Sequence, residues 1–243
     1  MRIRPLAVLV PLSLSLALAA APAFAEQDIE KMNGAVTAEA GREYGEVSSL
    51  NGRVTIREGA TVRKADTVNG AILIEANAKV GSAETVNGGI ELEEGATVGE
   101  IDVVNGAVKL GRDARVTGDV EAVNGGVRVH PGVVVGGDVG NVNGSLHFDR
   151  AEVGGKVVTT QGDITLEAST VRGGLLVEKP NRSWWSTGRK RLPRIVIGAG
   201  SVVGGEMVFE HEVELYVHPD AKVGKQSGVS PRMIDSPDAP RED

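Results

Sequence analysis

Histidine is the side chain in this sequence best suited to acid–base catalysis or to metal binding. The chain has four histidines and no cysteine: His130, His147, His211 and His218. A general base or a metal ligand needs partner residues at a defined spacing, and none of the four has them. His130 and His218 each precede a proline, which indicates corners of the chain. The sequence therefore predicts no catalytic residue, no metal site and no cofactor.

The second chemically distinctive group combines tryptophan with basic residues. The segment EKPNRSWWSTGRKRLPR, residues 178–194, holds both tryptophans of the chain and six basic residues against one acid, although the whole chain has a net charge of −7. Basic residues beside tryptophan favour an anionic envelope surface, or an envelope protein, as partner. The predicted contact residues are Trp184, Trp185, Arg182, Arg189, Lys190, Arg191 and Arg194. The alternative is that this segment covers a strand surface of its own chain, with its arginines facing acids such as Asp66, Glu84 and Asp102.

The elements that carry these residues follow from an internal repeat. Asn-Gly recurs at intervals of 18 or 19 residues, and Gln161-Gly162 continues the series. A short fixed period is typical of a solenoid. The seven asparagines of the repeat are Asn33, Asn51, Asn69, Asn87, Asn105, Asn124 and Asn143.

A finer period of six lies within each repeat. Every sixth residue from 32 to 116 is uncharged: Met32, Ala38, Tyr44, Leu50, Ile56, Val62, Val68, Ile74, Val80, Val86, Leu92, Val98, Val104, Leu110 and Val116. Neither a helix nor an ordinary hairpin has this period. Three six-residue segments per turn predict an all-β, three-sided parallel β-helix of about ten turns, with this series lining its axis. The acids of the third segment, Asp66, Glu84 and Asp102, are expected to face solvent, because charges are not buried without partners.

Stacking also explains the Asn-Gly pair. Asparagine side chains repeated once per turn are expected to form a hydrogen-bonded ladder along the axis. The glycine after each asparagine is expected to supply a backbone that tolerates positive φ at a corner.

The chain ends are predicted to lie outside the coil. Residues 1–25 have two arginines, a long uncharged run and Ala23-Phe24-Ala25, as in a secretory signal peptide. We therefore expect a periplasmic or secreted protein, and without cysteine it is not a lipoprotein. The coil is predicted over 26–224, interrupted by a loop at 178–194, and the polar, proline-rich tail 225–243 is predicted to be disordered. Nucleic acid is not expected as a partner of an acidic, exported chain.

The turns VTGDVEAVNG at Val116, VGGDVGNVNG at Val135 and VGGKVVTTQG at Val153 resemble those of the bactofilins, the polymer-forming cytoskeletal proteins. The resemblance extends from about Asn33 to Gly174. It implies a right-handed, single-domain β-helix that associates end to end without a nucleotide. Bactofilins are typically cytoplasmic, whereas this chain begins with a predicted signal peptide.

Hexapeptide periods also occur in left-handed β-helix acyltransferases, but those enzymes favour small or aliphatic residues on all three faces. The sequence therefore favours a non-enzymatic envelope scaffold or self-assembling structural protein. The second hypothesis is an interaction module that presents the segment 178–194, here called the Trp/basic loop, to a partner. The third is an acyltransferase.

Overall fold

The computed structural model describes residues 27–180 and 191–239, and this part of the chain is a parallel β-solenoid without helices. In chain order its strands are β1 (Gln27–Asn33), β2 (Val36–Ala38), β3 (Glu43–Asn51), β4 (Val54–Ile56), β5 (Thr61–Asn69), β6 (Ile72–Ile74), β7 (Lys79–Asn87), β8 (Ile90–Leu92), β9 (Thr97–Asn105), β10 (Val108–Leu110), β11 (Arg115–Val116), β12 (Val120–Asn124), β13 (Val127–Val129), β14 (Val134–Val135), β15 (Val139–Asn143), β16 (Ser145–Asp149), β17 (Glu152–Val153), β18 (Val157–Thr159), β19 (Asp163–Glu167), β20 (Thr170–Val171), β21 (Leu175–Val177), β22 (Arg194–Ile197), β23 (Val202–Val203), β24 (Met207–Phe209), β25 (Glu214–Val217), β26 (Lys222–Val223), β27 (Gln226–Gly228) and β28 (Arg232–Met233).

These strands form three faces around one core. Face 1 is an 11-stranded parallel sheet running from β2 to β28, one strand per turn, so the coil has about eleven turns. Faces 2 and 3 together form a 17-stranded sheet. In the early turns one bent strand of 9 residues, such as β5, crosses from face 2 to face 3. In later turns two short strands, such as β11 and β12, replace it.

The register follows the predicted repeat. Val54 pairs with Ile72, and Asn69 pairs with Asn87, both 18 residues apart. In the first of the two 19-residue turns, Val116 pairs with Val98 and Val120 with Ile101. The extra residue therefore lies in the bend between faces 2 and 3, where the sequence places it. Ile164 pairs with Ile195, so the loop after β21 lengthens one turn without changing its register.

Each turn holds three residues of the period-six series. Two of them are buried in the core as predicted, and the third is exposed, so the prediction is wrong for that one. Ile56, Val62, Ile74 and Val80 are buried in the core. The residues directly before each asparagine point outward instead, and they are exposed. The inward residues on face 3 are mostly smaller or polar: Ala65, Thr67, Ala83, Thr85, Ile101, Val103, Val120 and Ala122. The bend between faces 2 and 3 shifts the alternation by one residue, so positions six apart along the chain face opposite ways.

The glycine of each Asn-Gly pair has a different main role from the predicted one. A Cβ added at Gly70 would lie 2.0 Å from the carbonyl oxygen of Gly52, and one at Gly88 would lie 1.8 Å from that of Gly70. Gly34 and Gly144 have φ of 100° and 125°, and Gly88 and Gly106 have φ of 159°, so positive φ occurs at four of the seven glycines. Close approach of successive turns is the reason for glycine at the other six positions after Gly34, which has no atom within 4 Å of an added Cβ.

The coil includes part of the segment that was predicted to be a disordered tail. β27 pairs with β24 and β28 with β25, so the coil continues to Met233 rather than ending at residue 224. Most side chains of this last turn are exposed. Its strands form because the previous turn offers unpaired backbone groups, which need no buried side chains from the tail.

Candidate interaction surface

The outer surface of face 3 carries a continuous column of exposed aliphatic side chains. We call it the aliphatic column, and its members are Met32, Leu50, Val68, Val86, Val104, Val123 and Val142. Their exposed fractions range from 37% for Val68 to 72% for Met32. Six turns separate its ends, and at the strand spacing of about 4.8 Å the column is about 29 Å long. Single exposed aliphatic residues are normal on proteins, but a contiguous row is typical of an interaction surface.

Face 3 does not require aliphatic residues at this position. Val142 is followed in register by Thr160 and then by Glu178, since β15, β18 and β21 pair directly. The next residue in register is Glu210. The same outward position therefore accepts threonine or glutamate in the later turns, so the fold alone does not explain seven aliphatic residues in succession.

The asparagine ladder runs along one side of the aliphatic column. In each turn the side-chain Nδ2 of asparagine donates to Oδ1 of the asparagine one turn earlier. The six distances are between 2.9 and 3.1 Å, from Asn51→Asn33 to Asn143→Asn124. All seven predicted asparagines belong to this ladder. The ladder is exposed and lies along one edge of the aliphatic column.

On the inner surface of the sheet, threonine hydroxyl groups hydrogen-bond to the backbone at the same corner. Thr67 Oγ1 donates to the carbonyl oxygen of Gly52, and Thr85 Oγ1 donates to that of Gly70, each at 3.0 Å. Both threonines are buried. The corner is therefore fixed by side chains on both surfaces of the sheet, which gives the aliphatic column a rigid backbone.

An acidic column lies on the other side of the aliphatic column. Its members are Asp66, Glu84, Asp102 and Glu121, which pair in register and face outward as expected. Burial raises the pKa of Asp102 above its ordinary value, and the charges of Glu100, Glu121, Glu84 and Asp119 raise it further. The like charges in this column are therefore incompletely balanced.

Lys64 is the cation that lies against this column. Its Nζ is 3.3 Å from Glu84 Oε2 and 4.0 Å from Asp66 Oδ2. Burial raises the pKa of Asp66, Lys64 lowers it, and Glu46 and Glu84 raise it again, so that the net direction is upward. One lysine among three acids leaves this part of face 3 negative.

The Trp/basic loop begins two turns beyond the C-terminal end of the aliphatic column. β21 ends at Val177 and β22 begins at Arg194. The Glu178 amide donates to the carbonyl oxygen of Thr159, and the Lys179 amide to Glu210 Oε2 at 2.9 Å. Arg182, Trp184, Trp185, Arg189 and Lys190 lie outside the described residues.

Two predicted contact residues of this loop are described. Arg191 pairs with Asp163 and stays largely exposed. Arg194 is buried, with its Nε 2.8 Å from Glu214 Oε2 and its Nη1 3.1 Å from the carbonyl oxygen of Pro237. The strand resumes at Arg194 and places it opposite Glu214, so this arginine is engaged within the coil.

The histidines occupy separate places on the coil. His211 Nε2 lies 3.0 Å from the carbonyl oxygen of Thr160, and His218 Nδ1 accepts from the Asp220 amide at 3.1 Å. His147 lies on face 1 beside Arg128. Among the described residues no cluster of three or more histidine or carboxylate groups could hold a metal ion.

One cavity of about 570 Å³ lies on face 1 near the C-terminal end, under Pro237 and Asp238. Its other walls include Arg194, Tyr216 and His218. Because Arg194 already pairs with Glu214 there, the cavity combines a neutralised arginine with scattered polar groups, and its geometry indicates no particular ligand.

Sequence reasoning missed the aliphatic column because it assigned the same residues to the core. The available signal was the alternation within each turn, as in A-D-T-V-N at residues 65–69, where Ala65 and Thr67 share one face and Asp66 and Val68 the other.

The described part of the chain holds no helix with the length and apolar character of a membrane span. No known protein family, no curated protein and no solved structure matches this chain at a significant level. The interpretation of the surface therefore depends on its own geometry.

Proposed function

We propose that this protein is an exported, non-enzymatic scaffold of the cell envelope that assembles through its solenoid surface. The observation that carries the proposal is the aliphatic column on face 3. Seven exposed aliphatic residues stand in one line, at a position where Thr160, Glu178 and Glu210 show that polar residues are accepted. A surface that the fold does not require is best explained by a contact outside the coil.

A rigid body suits this function. Each turn is hydrogen-bonded to the turns beside it through parallel pairing on all three faces. Eleven turns at about 4.8 Å each give a rod of about 50 Å. The asparagine ladder keeps the column straight, so a partner meets side chains at fixed intervals.

The ends of the rod support association end to end as a second contact. β1 and β2 pair on one side only, and so do β27 and β28, within the described residues. In the first turn acids outnumber bases, whereas residues 221–234 of the last turn hold three bases and no acid, with Asp220, Asp235 and Asp238 beside them. The acids are Asp28, Glu30, Glu43 and Glu46, and the bases are Lys222, Lys225 and Arg232. Opposite charges favour contact between the C-terminal end of one copy and the N-terminal end of the next.

The export and the family assignment belong to the same proposal. Residues 1–25 support export by their sequence pattern and lie outside the described residues. The bactofilin-like turns support a self-assembling structural protein. His147 lies on face 1, His211 lies against the Thr160 carbonyl oxygen and His218 against the Asp220 amide, so these three histidines do not share one site.

Sedimentation velocity and negative-stain electron microscopy of the purified chain from residue 26 test the proposal. We expect assemblies larger than a monomer, and we expect Val68→Asp/Val104→Asp to reduce them strongly. The matched control is Val134→Asp/Val202→Asp, which places the same charges on the outer surface of face 2. A wild-type protein that stays monomeric at all salt and protein concentrations, or equal effects of the two double variants, would refute it.

A further inference from the structure

The aliphatic column and the acidic column together define the chemistry of an occupant. Asp66 and Glu84 stand beside Val68 and Val86 on the same outer surface, because they occupy alternate positions of the same strands. An occupant of this surface must bring apolar groups for one column and positive charge for the other. Face 3 is fully paired along its length, so its contacts are made by side chains rather than by strand addition.

A second copy packed face to face does not meet these requirements. A stripe about 29 Å long and one residue wide buries much less than the about 800 Å² per partner of a stable interface. An antiparallel arrangement would also place the two acidic columns against each other. Face-to-face pairing is therefore not the contact that the charges favour.

One segment of the chain has the required composition. From Lys179 to Arg191 there are five basic residues, both tryptophans and no acid. Tryptophan supplies a large apolar area and arginine pairs with carboxylates, and both are enriched in interface hot spots. This segment is complementary in charge and in polarity to face 3.

The segment cannot reach the whole surface of its own molecule. Ten residues separate Pro180 from Arg191. A loop that goes out and back over this length extends at most about 20 Å at about 3.5 Å per residue. From the turn of Glu178, Val104 is four turns away, about 19 Å, whereas Val68 is six turns away, about 29 Å, and Leu50 is farther still.

We propose that the Lys179–Arg191 segment of one copy docks on the N-terminal part of face 3 of another copy, at Leu50, Asp66 and Val68. This rests on the proposed function, because it uses the aliphatic column as the assembly surface. The tryptophans contact Leu50 and Val68, and the basic side chains face Asp66 and its acidic neighbours Glu46 and Glu84. The contact is heterologous, so each copy offers a loop and a face, and repetition gives an open assembly.

Complementary variants test the docking directly. The loop variant is Trp184→Ser/Trp185→Ser, and the face variant is Leu50→Asp/Val68→Asp. We expect each alone to associate about tenfold or more weakly than wild type. In their mixture one intact loop meets one intact face, so pairs should form that do not reach the size of the wild-type assembly. Val134→Asp/Val202→Asp on the outer surface of face 2 is the matched control, and it should leave this docking intact. Circular dichroism verifies that each variant is folded.

The outcomes separate the docking from the proposed function. If the face variant prevents assembly but the loop variant does not, assembly through face 3 stands and the docking is wrong. If neither variant changes the assembly, both proposals fail. A wild-type chain that stays monomeric but binds phosphatidylglycerol vesicles through Trp184 and Trp185 would also overturn the docking. Growth of the variant mixture to the size of the wild-type assembly contradicts the heterologous arrangement.

Discussion

The asparagine ladder gives a quantitative prediction about stability. Asn87 donates to Asn69 and accepts from Asn105, at 3.0 and 3.1 Å. Asn87→Ala removes both hydrogen bonds, each with a net contribution of about 0.5–1.5 kcal/mol. Both lie at the surface, where water replaces the lost partners. We therefore expect a loss in unfolding free energy of about 1–2 kcal/mol, well below the about 2–5 kcal/mol of a core change such as Ile90→Ala.

Thermal unfolding followed by circular dichroism is the assay. For a domain of this size, about 1–2 kcal/mol corresponds to a Tm lowered by about 3–6 °C. Asn143→Ala should cost about half as much, because Asn143 only donates within the described ladder. This comparison tests whether the effect comes from ladder bonds rather than from the loss of a side chain.

A double-mutant cycle decides the question. Asn69→Ala and Asn87→Ala each remove two bonds, but together they remove three, because the bond between them is shared. Their combined effect should fall short of the sum by the value of one bond. Asn51→Ala and Asn124→Ala share no bond and should add. Additive effects in the neighbouring pair, or no loss of Tm in any variant, would refute the ladder as a stabilising element.

Three further changes have expected outcomes. Gly88→Ala places a Cβ 1.8 Å from the carbonyl oxygen of Gly70, so the turns must separate and Tm should fall more than with any single ladder variant. Because burial and neighbouring acids raise the folded-state pKa of Asp102, its charge destabilises the fold at neutral pH; Asp102→Asn should raise Tm at pH 7, and this gain should disappear as the pH falls below the ordinary value of 3.8. Arg194→Ala leaves the buried Glu214 unpaired and should cost about 3–5 kcal/mol in urea unfolding, most of which Arg194→Met/Glu214→Leu should recover.

The coil was predictable because single residues, such as the asparagines, recur at the interval of one turn. Asparagines 18 or 19 residues apart form one ladder, and the extra residue of the first longer turn lies between Val116 and Val120. Parallel stacking converts an interval along the chain into a contact between neighbours. A prediction of register therefore needs no tertiary information.

The direction of side chains on face 3 was not predictable from spacing alone. Val62 and Val68 are six residues apart and equally apolar, yet Val62 is buried and Val68 exposed. The bend at Lys64 changes the alternation between them. The inward residue, Thr67, is less apolar than its exposed neighbour because its hydroxyl group bonds to the carbonyl oxygen of Gly52. With this hydrogen bond the polar Thr67 is buried and the apolar Val68 is exposed, the reverse of what hydrophobicity predicts.

The positions of Arg194 and of the tail have a common cause. From composition, Arg194 was predicted to belong to a basic loop, and the tail from residue 225 was predicted to be disordered. In a solenoid the last formed turn presents open backbone groups to the next segment, and pairing with them does not depend on composition. Arg194 lies at the start of β22 and meets Glu214, 20 residues later, because the register is inherited from the turn before.

The narrowness of the aliphatic column bears on the kind of assembly that it can support. Val86 is exposed over 40% of its surface, so covering that part adds less than the about 1.5–3 kcal/mol of a complete burial. A single contact on this stripe is therefore weak. The ladder and the buried threonines fix the backbone beforehand, so little ordering of face 3 opposes the contact. Weak contacts repeated along a rigid rod strengthen one another when a second contact is made within the same assembly. An open assembly with both loop docking and end contacts therefore suits this surface better than an isolated dimer.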